Sequence, residues 1–370
     1  MKIKKVVALG AAVGVALAGL GMAVPANAEP VSNSYVMVGS DTLQDAANAL
    51  ANGTSIGGAP IRVTAGGNTI GSYDAFGSSA IQTKNSGAYF GRPAGSGAGV
   101  NALRASITGA TYSGNAAVPA RVISGQVDIA RSSSGAGTNA NSNGLLAYVP
   151  FGRDAVAYAY NGTNADLAAL TTAQLKQIYE SNTPVTIGST VVKPRIPQNG
   201  SGTRSFFLGA IGVTTLGSTV GDSSANTTPE NDASILAADE IIPFSAASWV
   251  AQSNGATGVN TTAAASAANV HLGSPNGVAA FTGTGAALVP NASFYNAAPF
   301  GRDTYLVVEY ARINPTDPKY DVNLANLLDP SKATSLTNTG SFSSTTGAVK
   351  RKFGFLAPSS TTLIRAYASL

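Results

Sequence analysis

The chain has 370 residues, 22 basic and 18 acidic, with a formal net charge of +4 and no cysteine. The missing cysteine excludes disulfide bracing, thiolate metal sites and a cysteine nucleophile, so stability must come from a packed core. Lys2, Lys4 and Lys5 carry most of the basic excess and sit at the extreme N-terminus, so the remainder is nearly balanced and asks for no nucleic-acid partner.

Those lysines precede an apolar run from Val6 to Val24, then Pro25 and a small-x-small stretch, Ala26-Asn27-Ala28. This pattern predicts an export signal at residues 1–28, cleaved after Ala28. No cysteine follows the cleavage site for lipid attachment. The expected product is secreted or periplasmic, without a membrane anchor, and a monomer. Its length predicts two lobes.

Tyr35 to Val38 reads as a strand, Gly39-Ser40-Asp41 as a turn, and Thr42 to Leu50 as a helix with Ser40 or Asp41 as its N-cap. Residues 51–95 read as loops with short strands. Gly95-Ser96-Gly97-Ala98-Gly99 leads into a helix at Val100 to Ala105. Gln126 to Ala130 is a buried-strand candidate, followed by Arg131-Ser132-Ser133-Ser134. Pro150-Phe151-Gly152-Arg153-Asp154 recurs as Pro299-Phe300-Gly301-Arg302-Asp303, each copy ahead of an apolar strand. The echo suggests two strands crossing between lobes. Lobe 1 would then be 29–150 plus 300–370, and lobe 2 would be 151–299. Leu170 to Tyr179 predicts a helix capped at Thr171 or Thr172, and Val185–Ile187 and Val191-Val192 predict strands. Asn199-Gly200-Ser201-Gly202-Thr203-Arg204-Ser205-Phe206-Phe207 then opens another helix. The alternation predicts an α/β fold.

Three stretches place a Gly/Ser/Thr turn before a helix: Gly39 to Thr42, Gly95 to Ala98 and Gly200 to Thr203. Free first-turn amides, the helix dipole and short hydroxyls make each a potential anion seat, though each also reads as ordinary capping. Several facing one cleft would surround an oxyanion.

The order of these segments resembles the phosphate-binding type of periplasmic solute-binding proteins that serve ABC importers, from Val38 to about Gly354. Gly200-Ser201-Gly202-Thr203-Arg204 before an aromatic helix is its most specific part. The resemblance implies two α/β lobes with mixed sheets, flanking helices and two hinge strands, closing on phosphate or a related oxyanion. It implies ligand contacts from Thr42, Leu43, Ser96, Ser133, Ser201, Gly202 and Thr203, to which the chemistry of the loops adds Ser40, Asp41 and Arg204 as candidates, and an ABC permease as partner. No cofactor, metal or catalytic residue is expected.

Two positions depart from the family pattern. Pro197 stands where many phosphate binders carry arginine, and Ser133 where many carry the aspartate that accepts the ligand's proton. Asp41 reads either as a substitute acceptor or as a helix cap. Arg131 and Arg204 read either as the missing cation or as surface charges. A serine hydrolase would need His271, the sole histidine, and lacks a Gly-x-Ser-x-Gly elbow. An extracellular interaction protein on the same fold is the alternative reading.

Overall fold

A computed structural model describes residues 34–222, 228–258, 260–262 and 269–370. The predicted signal lies outside the described residues. The strands that build the main sheet are β1 (Tyr35–Gly39), β2 (Ile70–Ser72), β3 (Ile129–Ser132), β4 (Leu146–Asn161), β5 (Val185–Ile187), β6 (Thr190–Pro194), β7 (Glu240–Ser245), β8 (Val270–Leu272), β9 (Gly301–Glu309) and β10 (Ile364–Ala366). Their order is β5-β6-β7-β4-β9-β3-β1-β2, with β8 and β10 also pairing with β4. The sheet is mixed: β1 runs parallel to β2 and β3, and β6 parallel to β7, while β4, β9 and β3 pair antiparallel.

Helices cover both faces. The principal ones are α1 (Gln44–Asn52), α2 (Ser96–Thr108), α3 (Thr172–Glu180), α4 (Gly202–Ala210), α5 (Ala246–Ser253) and α6 (Thr346–Lys352). Strands buried on both faces need continuous apolar runs, with alternate residues serving opposite layers. In β1, Met37 packs with Leu43, Ala47 and Leu50, whereas Val36 and Val38 pack with Val100 and Leu103 on the other side. In β7, Ile241 joins Leu175, Ile178 and Phe207, while Ile242 and Phe244 join Trp249 and Val250. Two pairs of cores follow, one pair per lobe. β4 and β9 connect them.

β4 is 16 residues long. Its first part pairs with β9 and β10, its last part with β7 and β8, and its register slips between Pro150 and Gly152. The first pentapeptide therefore lies within β4, at this bulge, rather than ahead of the strand, while the second straddles the start of β9, with Pro299 and Phe300 ahead of it. The helix after β1 begins at Gln44, not Thr42. Its cap position is Leu43, with no side-chain cap, so neither Ser40 nor Asp41 is the N-cap. α2 begins at Ser96, inside the glycine-rich stretch, and β3 begins at Ile129. α3 carries a capping box between Thr171 and Gln174, as its Thr-x-x-Gln spacing favours.

The bulge is held by a buried lysine. Lys350 Nζ donates to the Phe151 carbonyl and, at 3.3 Å, to that of Leu336, and lies 4.6 Å from the centre of the Phe151 ring. Burial holds its ammonium well below its ordinary value of 10.5. A depressed amine contributes stability above its unfolded value and loses it as pH falls. Urea melts at several pH values are expected to show the stability of wild type relative to Lys350→Met rising with pH towards 10.5. A pH-independent difference would mean that the amine stays charged in the fold.

Candidate functional site

The starts of α1, α2 and α4 meet where the crossing strands pass between the lobes. The pentapeptide echo explains what lies between them. β4 and β9 run antiparallel with Arg153 opposite Asp303 and Asp154 opposite Arg302. Two copies of Gly-Arg-Asp in that register pair reciprocally, each arginine with the other copy's aspartate. Neighbouring strand residues point to opposite faces, so the two pairs separate. Arg153 Nη1 meets Asp303 Oδ1 at 2.9 Å, with the two side chains 14% and 10% exposed. Arg302 Nη2 meets Asp154 Oδ2 at 2.8 Å, with the two side chains 2% and 0% exposed.

Arg302 reaches both lobes. Its Nη2 also donates to Thr203 Oγ1 at 2.9 Å and Thr42 Oγ1 at 3.3 Å, and its guanidinium lies 5.5 Å from the Phe206 ring centre. Asp154 is held in turn by Ser245 Oγ and by the Ala247 amide at 2.9 Å, at the start of α5. Nη1 of Arg302 is buried with no hydrogen-bond partner among the described residues.

Asp41 faces this arginine. Its carboxyl is pushed up by burial, and pulled back down by the carboxyl of Glu230, the amides of Asp41 and Thr42, and Arg302. Glu230, 2% exposed, is pushed well above 4.5 by burial and then by Asp41, with Arg302 and the Thr203 amide opposing. Oδ1 of Asp41 and both oxygens of Glu230 lack a hydrogen bond of ordinary geometry among the described residues, as does Ser40 Oγ.

The remaining predicted residues form an adjoining hydroxyl cluster. Ser96 Oγ lies 3.1 Å from Ser133 Oγ and accepts from the Ser133 amide at 2.9 Å. Gly202 is packed against them: an added Cβ would fall 2.3 Å from Ser133 Oγ and 2.4 Å from Ser96 Oγ. The loops also touch across the lobes, the Gly97 amide donating to Gly200 O at 3.2 Å. Gly95, at φ +104°, makes that approach possible, since a Cβ there would sit 2.4 Å from the same oxygen. A hydroxyl-lined cleft of 340 Å³ borders this cluster.

Other predicted residues have different duties. Ser201 caps α4, accepting from the Arg204 amide at 2.9 Å. Leu43 is buried in the lobe-1 core and offers the site only its backbone. Arg204 donates to the Pro197 carbonyl at 2.9 Å, within its own loop. Arg131 is fully buried, and its guanidinium binds the carbonyls of Ser40 and Tyr73 at 2.9 and 2.6 Å. It shapes the β1–α1 turn. Arg195, near Pro197, pairs with Asp222 and Glu240. None of these three arginines takes the place between the lobes that Arg302 holds.

Sequence reading missed Arg302, Asp154 and Glu230. The first two were visible as the echo, had its copies been set antiparallel. Glu230 carries no local signal. His271 is exposed on β8, its ring centre 5.5 Å from that of Tyr160. Trp249 is core. Among the described residues no group of three or more His, Asp or Glu is placed to hold a metal, and no helix is long and apolar enough to cross a membrane.

With this geometry in place, sequence comparison gives a decisive match: residues 24–321 fit the model of the PBP superfamily domain. The chain belongs to the PBP superfamily. No curated protein sequence matches it. Among solved structures, an ABC-type phosphate transport receptor from Vibrio cholerae aligns over 88% of this chain and 100% of its own, with a TM-score of 0.50 and 14% identity. PstS from Borrelia burgdorferi aligns over 88% and 99%, with a TM-score of 0.42 and 13% identity. Identities this low speak for the fold, which is the two-lobe α/β architecture of periplasmic binding proteins.

Proposed function

We propose that the chain captures inorganic phosphate or a related oxyanion between its lobes, as an exported solute-binding protein for ABC-type import or scavenging. The observation that carries this reading is Arg302. It is a buried cation bonded to Thr42 of one lobe and Thr203 of the other, with Nη1 free to meet an anion. The α1, α2 and α4 starts add amides and hydroxyls in a dry setting, where charge-assisted hydrogen bonds are strongest. The Vibrio structure, an ABC-type phosphate transport receptor, supports phosphate and an ABC permease as partners by analogy.

In this reading Thr42, Ser96, Ser133, Gly202 and Thr203 line the seat, with Ser40, Leu43 and Ser201 shaping it. Arg302 takes the charge role offered to Arg204 and Arg131, and Asp41 takes the proton-acceptor role that Ser133 lacks. Lobe 1 is 29–150 plus 300–370 and lobe 2 is 151–299, with the signal removed after Ala28. Closure is a hinge motion on β4 and β9, biased by contacts to both lobes.

Calorimetry on residues 29–370, stripped of ligand by partial unfolding, tests this. Phosphate is expected to bind and sulfate to give no response, and Ser201→Ala with Thr203→Ala to remove the heat of binding without unfolding the protein. Ser133→Asp is expected to shift competition further towards protonated phosphate. One feature favours a second reading: three carboxylates surround a single guanidinium. A folded protein silent towards both anions would point to an extracellular interaction protein on this fold.

A further inference from the structure

We infer that the ligand of the oxyanion seat is an organic phosphate with a second anionic group, and that Arg104 binds that second group. The inference rests on the oxyanion reading and deepens it.

The 340 Å³ cleft beside the seat falls in the range of about 300–1,000 Å³ for pockets that hold organic ligands. Ser96 and Ser132 line it from α2 and β3, and Gly202 and Ser205 from α4. A second cleft, of 630 Å³, adjoins it, and Gly97, Asn101 and Gly200 line both. Gly97, Asn101, Arg104 and Thr108 recur at helical spacing and give the second cleft one face of α2. Arg104 is the one charged side chain lining either cleft among the described residues.

That cation is uncommitted. Its guanidinium makes no hydrogen bond or ion pair among the described residues, and its Nε is buried without a partner. It lies 4.7 Å from the centre of the Tyr367 ring. Tyr367 lines the first cleft, at φ +63°, a left-handed conformation that strains a bulky residue. Its backbone is pinned there: the amide donates to the Asn139 carbonyl at 2.9 Å, and the carbonyl accepts from the Leu145 amide at 2.8 Å. The strain holds an aromatic platform under a free cation where the two clefts adjoin.

Arg104 follows Ser96 by eight residues of one helix, a rise of about 12 Å. A single oxyanion cannot span that. An organic group can, with its phosphoryl end at the Ser96 cluster and its other end at Arg104. The neutral hydroxyls and amides lining the first cleft suit a polyhydroxylated linker. The planar guanidinium suits a phosphoryl or carboxylate group at the far end.

The test is calorimetry on residues 29–370, stripped of ligand. The probes are inorganic phosphate, fructose monophosphate, fructose bisphosphate with a phosphoryl group at each end of the sugar, and phosphogluconate with a carboxylate at the far end. Fructose bisphosphate or phosphogluconate should bind about tenfold or more tightly than fructose monophosphate. Arg104→Gln should bring that ratio to within about twofold and leave inorganic phosphate binding unchanged. Lys319→Gln removes the same charge from an exposed side chain and should keep the ratio. Tyr367→Gly removes the ring but accepts the left-handed backbone, and should lose the ratio. Tyr367→Phe should keep it.

Equal binding of the three sugar phosphates, or a ratio that survives Arg104→Gln, overturns the subsite and leaves the oxyanion reading standing. So does a protein that binds inorganic phosphate and refuses every sugar phosphate. A ratio lowered alike by Lys319→Gln is general charge attraction and overturns it too. Silence of the folded protein towards all four probes overturns both readings. Binding of either doubly anionic probe, with none of inorganic phosphate, supports the subsite.

Discussion

Replacing Arg302 with alanine is expected to destabilise the protein by about 3–5 kcal/mol, the range for breaking a buried pair and stranding its partner, and to abolish oxyanion binding. The same change at Arg153, whose pair is 14% and 10% exposed, should cost less, about 1–3 kcal/mol. The two arginines occupy equivalent positions in identical pentapeptides, so local sequence forecasts equal effects. Burial separates them. Asp154 would keep its bonds from Ser245 and Ala247 but lose its only cation among the described residues, with its side chain wholly buried. Asp303 lies nearer water and keeps bonds from the Ser359 amide and hydroxyl. Urea denaturation of the two single variants decides this. Equal costs would show that the inner pair is solvated and that Arg302 is not the buried cation of a closed site. Arg302→Met combined with Asp154→Asn should recover much of the loss, because removing both partners avoids a stranded charge.

The second large effect concerns pH. Asp41 and Glu230 are both raised in the fold, so the native state holds protons that the unfolded chain releases above about 4.5. A group with a raised folded value contributes stability that is full below its unfolded value and is lost as pH rises through its folded value. Wild type should therefore weaken between about pH 4.5 and neutrality relative to Glu230→Gln, which has no proton to release. The variant is expected to match wild type near pH 4 and to exceed it at pH 7 by about 1–3 kcal/mol, the scale of an unsatisfied buried polar group. Thermal melts across that range check it. A constant offset would mean that Glu230 holds its proton no more tightly in the fold than in the unfolded chain.

Both expectations concern residues that a linear reading passes over, and the reason is the same. Helix starts are local: Gly200-Ser201-Gly202-Thr203 announces its own turn because capping depends on neighbours one to three residues away. The strands at Tyr35 and Val185 and the helix starts capped by Thr171 and Ser201 were legible on that ground, whereas the start after β1 was misplaced because Leu43, not Ser40 or Asp41, holds its cap position. The cation was not. It came from β9, which is distant in sequence from α4 and meets it only after β4 and β9 have paired. The glycines were ambiguous too. Gly95 and Gly202 serve close contact between chain segments, where a ligand-facing role was equally compatible with the sequence.

By itself the sequence determined the α/β alternation, the apolar strands after the two pentapeptides and the helix start at Ser201, because each depends on periodicity or on contacts within a few residues. It also determined, through the repeated Gly-Arg-Asp, that two reciprocal ion pairs were available. The tertiary structure alone decided which pair would be buried, and that Arg302 rather than Arg131, Arg195 or Arg204 would stand between the lobes. It also set Glu230 against Asp41. The physical reason is that charge placement is settled by burial, and burial belongs to the assembled layers: the same residue type is a partly exposed ion-pair partner on one face of a strand and a fully buried cation on the other.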